Sequence, residues 1–378
     1  MLDIVHIRRL DDDLVVIGPD GAPTVLDGVP AIDTLVLEVL GGHLSWGLLG
    51  DQRLPAAVLD DAEQAQEWIW AVFGEAVALA VDEGSTGEFP AAPALPELVA
   101  NAWRLGYAHW ASRWWPASII EAIAPLDDRL LLDEIAALAE ECEMLIDGAD
   151  APLWVDERQL APEALGRAED YALAAGPSTT PPPGALVLAR GTGGWDWRRC
   201  PPGLLDASER AVSWDVLRVA GTTTVQVRAV AAPQLRGEVP PHLHPHALIH
   251  TATGAVTATM ELNGDTWRAT VAAPEGAESA LSVEVSVPGV GRNAVDIADP
   301  LAATEIATPD ADSAVADDAE SAASTGIQSP RAADEAELRR RVRELAAARL
   351  RRAAEAPGST ADLPLLAEIA AADSESDF

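Results

Sequence analysis

Lysine is absent from this chain: the 25 residues that carry a fixed positive charge are all arginine. That one absence removes several classes of chemistry. A Walker phosphate loop, a pyridoxal phosphate Schiff base and the strand lysine of a protein kinase all require the missing amine. Cysteine is scarce too. Cys142 and Cys200 lie far apart, with neither metal-type spacing nor a disulfide framework, which points to a reducing compartment. No run of about 18 apolar residues occurs, so membrane insertion is not expected. The opening MLDIVHIRRLDDD lacks the apolar core of a signal peptide, and a cytoplasmic protein is expected. The nucleophile elbow, the HExxH pair and the CxxC pair are all missing, so neither an enzyme nor a bound cofactor is the leading expectation.

Acid dominates what is present. Against the 25 arginines stand 61 carboxylates, a formal charge of −36, which argues against binding bare nucleic acid. Apolar residues make up 48% of the 378, enough for sizeable cores, and tryptophan (12) outnumbers tyrosine (2) and phenylalanine (3). The wealth of Ala, Arg, Gly, Pro and Asp is the codon signature of a GC-rich genome.

The pattern predicts an α+β multidomain chain. Residues 1–175 read as one α+β domain, with short strands in 1–50 and a helical bundle in 58–175. DLVVIGPDGAPTVLDG suggests a hairpin around Pro-Asp-Gly. A helix capped by Asp60 or Asp61 runs to about Gly84, with Trp68, Ile69, Val72, Phe73, Ala76 and Leu79 on one face. A second helix ends at Pro116, a third at Gly148, and a fourth covers 161–176. Residues 176–184 are a Pro-rich linker. From 185 to 293 the period turns to two, which predicts an immunoglobulin-like β-sandwich with a hairpin at Asn263-Gly264-Asp265. Residues 294–333 have the composition of a disordered acidic linker, and 334–378 hold an Arg-rich helix and a docking tail.

Four stretches could carry chemistry. PPHLHPHALIH places His242, His244, His246 and His250 at alternate positions, as an H-x-H chelate on a strand would require. Pro240, Pro241 and Pro245 spoil that alternation, and no acid or thiol stands beside the imidazoles. A solvated loop entering a strand is preferred to a metal site. Trp103, Tyr107, Trp110 and Trp114 follow a 4-3-4 spacing and make one helix face aromatic, either core packed on the Trp68 and Phe73 helix or a binding surface. His109, Arg113 and Arg104 could edge a groove there. In GTGGWDWRRC the glycines lack dinucleotide-loop spacing, and Trp195 and Trp197 suggest a structured loop with cation–π contacts. Asp11, Asp12 and Asp13 fit the tip of a surface turn.

The tail offers the clearest interaction surface. Arg339, Arg340, Arg341, Arg343, Arg349, Arg351 and Arg352 crowd one helix, and Leu338, Val342 and Leu345 form a narrow apolar seam. Glu335 with Arg339, Glu337 with Arg341, and Arg340 with Glu344 stand four apart, so part of the charge is compensated locally. Leu365, Leu366 and Ile369 supply a second apolar segment. Docking onto a partner, or back onto the chain's own acidic domains, is the expectation, with Arg339, Arg340, Arg343, Leu338, Val342, Leu345, Leu365, Leu366 and Ile369 as contacts. Deleting 334–378 is expected to leave both domains folded.

RLGYAHWASRWWPAS with the following LLLDEIAALAEECEMLIDG, and GALVLARGTGGWDWRRCPPGLLDASERAVSW, resemble accessory proteins of actinobacterial conflict systems built around AAA-type ATPases and von Willebrand A-domain proteins. The likeness spans about 60 of the 378 residues and contains no catalytic motif, so no residue role is carried over. It implies an accessory or scaffold role, with an ATPase or von Willebrand A-domain protein as partner. The leading expectation is thus a non-catalytic cytoplasmic interaction protein that recruits a partner through its tail. The alternatives are a metal-assisted hydrolase using the 242–250 histidines, and a carbohydrate-binding sandwich that would need Trp195 and Trp197 exposed.

Overall fold

The computed structural model describes residues 3–10, 14–27, 31–146, 185–278, 281–291, 330–355 and 363–376. The chain divides into two compact units, Met1–Pro177 with Leu338–Phe378, and Ser178–Glu337. The C-terminal tail therefore clusters with the first unit. The Asp11–Asp13 triplet, the expected fourth helix over 161–176, the 176–184 linker and the 294–329 part of the acidic linker lie outside the described residues.

In the first unit, strands β1 (Asp3–Arg9), β2 (Val15–Gly18), β3 (Thr34–Val39), β4 (Gly42–Gly47), β5 (Ala56–Leu59) and β6 (Gly87–Ala91) form one antiparallel sheet. Their order is β3-β4-β5-β2-β1-β6. The hairpin expected around Pro-Asp-Gly does not form; β2 pairs with β1 and β5 instead. Asp27 captures the Thr24 N–H and hydroxyl (2.7 and 3.0 Å), and the Thr24 oxygen in turn accepts from the Leu26 N–H. These side-chain bonds fold 24–27 into a turn where a second strand was expected.

Helix α1 (Ala62–Phe73) starts where Asp61 accepts from the N–H groups of Glu63 and Gln64. A short β3–β4 turn lies against that start: Gly41 sits at φ 71°, and a Cβ there would come within 2.2 Å of the Asp61 carbonyl. The single helix expected to reach Gly84 is two, because Gly74 (φ 91°, ψ 175°) interrupts it before α2 (Glu75–Asp82). A Cβ on Gly74 would meet the Ala92 carbonyl at 2.2 Å, so this close approach needs glycine. The break resets the phase. Trp68, Ile69, Val72 and Phe73 are buried as expected, but Ala76 and Leu79 face solvent, and Val77, Ala78, Ala80 and Val81 turn inward. Gly74→Ala is expected to lower the stability of this unit by about 2–3 kcal/mol, as measured by urea denaturation.

Helix α3 (Pro96–Trp114), with Pro96 in its first turn, crosses the sheet at Gly106, close over Leu35 and Leu37 of β3. Asp127 caps α4 (Asp128–Glu141), which packs beside α3. It ends at Glu141, short of the expected Gly148. The chain turns there so that the Leu145 carbonyl can accept the Leu40 N–H at the end of β3 (2.8 Å). In the tail, α5 (Pro330–Ala353) starts inside the stretch assigned to the acidic linker, and α6 (Leu366–Ser376) follows.

The second unit holds two antiparallel sheets: β12 (Glu261–Asn263), β13 (Thr266–Ala272), β9 (Thr222–Val230), β8 (Val212–Val219) and β7 (Leu186–Gly193) in one, and β11 (Gly254–Thr259), β10 (His246–Thr251) and β14 (Leu281–Ser286) in the other. The hairpin expected at Asn263-Gly264-Asp265 forms, pairing Leu262 with Trp267. Trp267 is fully buried, and its indole N–H donates to the Leu204 carbonyl (3.1 Å).

Candidate functional site

The aromatic face of α3 is the centre of the candidate site. Tyr107 and Trp110 are buried, while Trp103 and Trp114 are half-buried. Tyr107 stacks on Trp103 (5.3 Å between ring centroids, 7° between planes) and on Trp110 (5.6 Å, 17°). The Trp110 indole N–H donates to the Ile32 carbonyl at 2.6 Å. Although α1 touches α3, the ring at the middle of the stripe is covered by the tail: the Arg349 guanidinium lies 4.4 Å above the Tyr107 centroid.

A buried polar cluster fastens that cover. Glu368 of α6 is fully buried and accepts four hydrogen bonds: from the Tyr107 hydroxyl (2.7 Å), from Arg349 Nε and Nη2 (2.7 and 2.8 Å) and from the Leu365 N–H (2.7 Å). Its lone pairs are thus used by donors from three segments, α3, α5 and the start of α6. One step along, Glu134 of α4 accepts from Arg104 (2.9 Å) and from the Leu366 N–H (2.6 Å). The two carboxylates therefore also bind the first backbone N–H groups of α6, where a helix favours negative charge. At the other edge, Arg343 donates to Glu121 at 2.8 Å. Around the cluster Ile123, Ala346, Leu350 and Ala371 pack together, with Trp115 and Leu126 against them. Such a cluster can hold and orient a segment.

Burial pushes the Glu134 carboxyl above its ordinary value, and the nearby Glu368 adds to the rise; the Leu366 N–H and Arg104 oppose it. A carboxyl with a raised folded-state pKa binds its proton more tightly folded than unfolded. Its contribution to stability is full below the unfolded value and is lost as pH rises through the folded value. Glu134→Gln is accordingly expected to flatten the pH dependence of stability between those two values, as read from urea titrations at stepped pH.

The structure sorts the tail residues named from sequence. Val342, Arg343 and Leu365 are buried within the first unit; Leu338, Arg339 and Leu345 are half-buried; Arg340, Leu366 and Ile369 are exposed. Arg340 pairs with Glu344 on the helix surface. The buried face of α5 runs through Val342, Ala346, Leu350 and Ala353, so the seam expected at Leu338, Val342 and Leu345 is rotated toward the small residues. Sequence reasoning missed Glu368, Glu134 and Glu121, and counted Arg349 only as one charge among seven.

His242 lies in a 3-10 turn, Pro241–Leu243, and is exposed. His244 meets the Trp267 ring edge-on (5.4 Å) and bonds the Val239 carbonyl through Nε2 (3.1 Å). His246 and His250 share the outer face of β10, with Ala247 and Ile249 buried between. His250 Nε2 is enclosed and has no hydrogen bond among the described residues, 3.9 Å from a Glu284 oxygen. Among the described residues no three His, Cys, Asp or Glu side chains stand close enough to hold a metal ion.

Trp195 and Trp197 are only 7% and 5% exposed, and Trp195 donates to the Asp206 carbonyl (2.7 Å), so the exposure that sugar binding requires is not met. The expected cation–π loop is a capped turn instead: Asp196 accepts from the backbone and guanidinium of Arg198. Arg113 lies over the Trp114 ring (5.0 Å), Arg104 is taken by Glu134, and His109 lines a separate groove. Burial pushes both thiols, Cys142 and Cys200, up to about 12, which leaves them protonated and inert. No described helix is long and apolar enough to cross a membrane. Comparison with protein families, with curated proteins and with solved structures finds no match to this chain.

Proposed function

We propose that the chain is a non-catalytic cytoplasmic interaction protein, an accessory component of a multiprotein bacterial conflict system, and that its tail meets the partner while held on the first unit. One observation carries the reading: the Tyr107–Glu368–Arg349 cluster locks the tail in one orientation. What the lock turns outward is an arginine-rich surface, with Arg340, Arg341, Arg351 and Arg352 exposed on α5 and the apolar Leu366 and Ile369 exposed on α6. Guanidinium groups beside apolar side chains suit an acidic protein surface with an apolar centre. The ATPase or von Willebrand A-domain partner implied by the resemblance belongs to this proposal. So does the reading of the second unit as an immunoglobulin-like sandwich, supported by its sheets of five and three antiparallel strands and by the packing of β11 beside β13.

The experiment is co-purification of the tagged full chain from its native host, compared with a variant carrying Leu366→Asp and Ile369→Asp. Both side chains are exposed, so the fold is expected to survive. Loss of the co-purifying protein with an unchanged unfolding curve is expected. An unchanged complex contradicts the proposal.

A further inference from the structure

Strand β3 is one edge of the six-stranded sheet, with β4 on its inner side. The tight β3–β4 connection fixes which backbone groups point outward. Val39 pairs with Gly42 across a two-residue turn, so those two exchange hydrogen bonds, as do Leu37 with Leu44 and Leu35 with Trp46. The N–H and C=O groups of Thr34, Val36, Glu38 and Leu40 therefore face away from the sheet. Thr34 and Leu40 have their N–H groups taken, by the Ala31 and Leu145 carbonyls (3.0 and 2.8 Å), and the Leu40 carbonyl accepts from the Trp68 indole (2.8 Å). Among the described residues nothing pairs with the outward groups of Val36 and Glu38. Among the described residues two consecutive outward positions are thus open, bounded at both ends by chain that is already bonded.

A groove of about 540 Å³ runs along this open edge. Leu105 of α3 and Ile135 and Ala139 of α4 line its helical side, with His109 one turn beyond Leu105. Burial holds the His109 imidazole below its ordinary pKa and so neutral near pH 7, which keeps that wall uncharged. Leu35 and Leu37 turn toward α3, so alternation sends Val36 and Glu38 to the opposite face, where Glu38 stands across from His43. Glu38 is exposed and is the only carboxylate or guanidinium among the described residues lining the groove.

We infer that this edge is a β-augmentation site for an extended peptide of a partner protein, one that alternates apolar and basic side chains. The backbone of the peptide pairs with Val36 and Glu38. Its apolar side chains fall toward Leu105, Ile135 and Ala139, and a basic side chain on the other face meets Glu38. The charge of the chain as a whole, −36, favours the same sign of partner. This inference rests on the reading of the chain as an interaction protein, but it uses a surface distinct from the tail.

The test uses the full chain and the blocked peptide Val-Arg-Val-Arg-Val, with Val-Glu-Val-Glu-Val as control, by calorimetric titration and amide hydrogen exchange. Binding of the basic peptide, with new protection at the Val36 and Glu38 amides, is expected. Val36→Pro removes an outward N–H but none of the bonds to β4, so the unfolding midpoint should hold while affinity falls about tenfold or more. Should that variant lose its fold, Glu38→Arg decides alone: it alters only an exposed side chain and should transfer the preference to the acidic peptide. Failure of the basic peptide to bind, protection elsewhere, or a preference unmoved by Glu38→Arg overturns the site. None of these outcomes touches the tail-borne interaction, whose own test is the Leu366 and Ile369 variant.

Discussion

Arg349→Met is expected to destabilise the first unit by about 3–5 kcal/mol, the usual cost of leaving one member of a buried ion pair alone. The side chains of Arg349 and Glu368 are 5% and 0% exposed, so water cannot replace the lost guanidinium. The Glu368 carboxylate would keep only two neutral donors, the Tyr107 hydroxyl and the Leu365 N–H. Tyr107 would also lose the cation over its ring. Adding Glu368→Gln should recover most of the loss, because the amide oxygen still accepts the Leu365 N–H and the amide NH2 can donate to the Tyr107 hydroxyl oxygen, with no buried charge. Denaturation of the two variants, followed by hydrogen exchange of the α3 amides, measures this. If the double variant is no more stable than Arg349→Met, the loss has another origin.

Deletion of 334–378 should disrupt the packing of the first unit. The sequence pattern marks the tail as separable, since a long acidic stretch precedes it. In the fold, Val342, Leu350 and Leu365 are at most 4% exposed and Ile123 packs against Ala346, Leu350 and Ala371. Burial of those three large side chains contributes about 1.5–3 kcal/mol each, an upper estimate that is still comparable with the net stability of a whole domain, roughly 5–15 kcal/mol. The truncated chain should bind a hydrophobic dye and lose slow exchange in α3 and β3, while the sheets of the second unit keep theirs. Unchanged protection in α3 would show that the tail is dispensable.

Much of the fold was legible from periodicity. Trp68, Ile69, Val72 and Phe73 announce α1, Asp61 announces its start, and the alternation in β8, β9 and β13 reads directly. What escaped depends on contacts distant in sequence. Gly74 reads as an ordinary helix residue until Ala92 arrives beside it. At Pro-Asp-Gly the expected hairpin gives way to a turn in which the Asp27 carboxylate takes the Thr24 N–H.

The candidate site was half legible. Tyr107 stood out through its aromatic stripe, and the tail through its arginines. Its partners were visible only as anomalies: Arg349 continues the 4-3-4 spacing of Leu338, Val342 and Leu345, a cation on an apolar seam. Glu368 is a lone acid in the apolar run LPLLAEIAA, and Glu134 adjoins Leu131, Ile135 and Leu138. A charge on an apolar face signals a buried pair, but which residues pair depends on the tertiary fold. The histidines at 242–250, read from sequence as a loop entering a strand, are divided between a turn and one strand face.

Whether the tail is part of the first unit decides how it can meet a partner. Hydrogen exchange of the intact chain measures that directly at the Leu365 and Leu366 amides, which donate to Glu368 and Glu134. Both amides and those of α5 from Val342 to Leu350 should exchange as slowly as the core of α3, and Glu368→Ala should release them to the rate of an unstructured peptide. Tail amides that already exchange at that rate in the unaltered chain, while α3 stays protected, would contradict the tail's place in that unit.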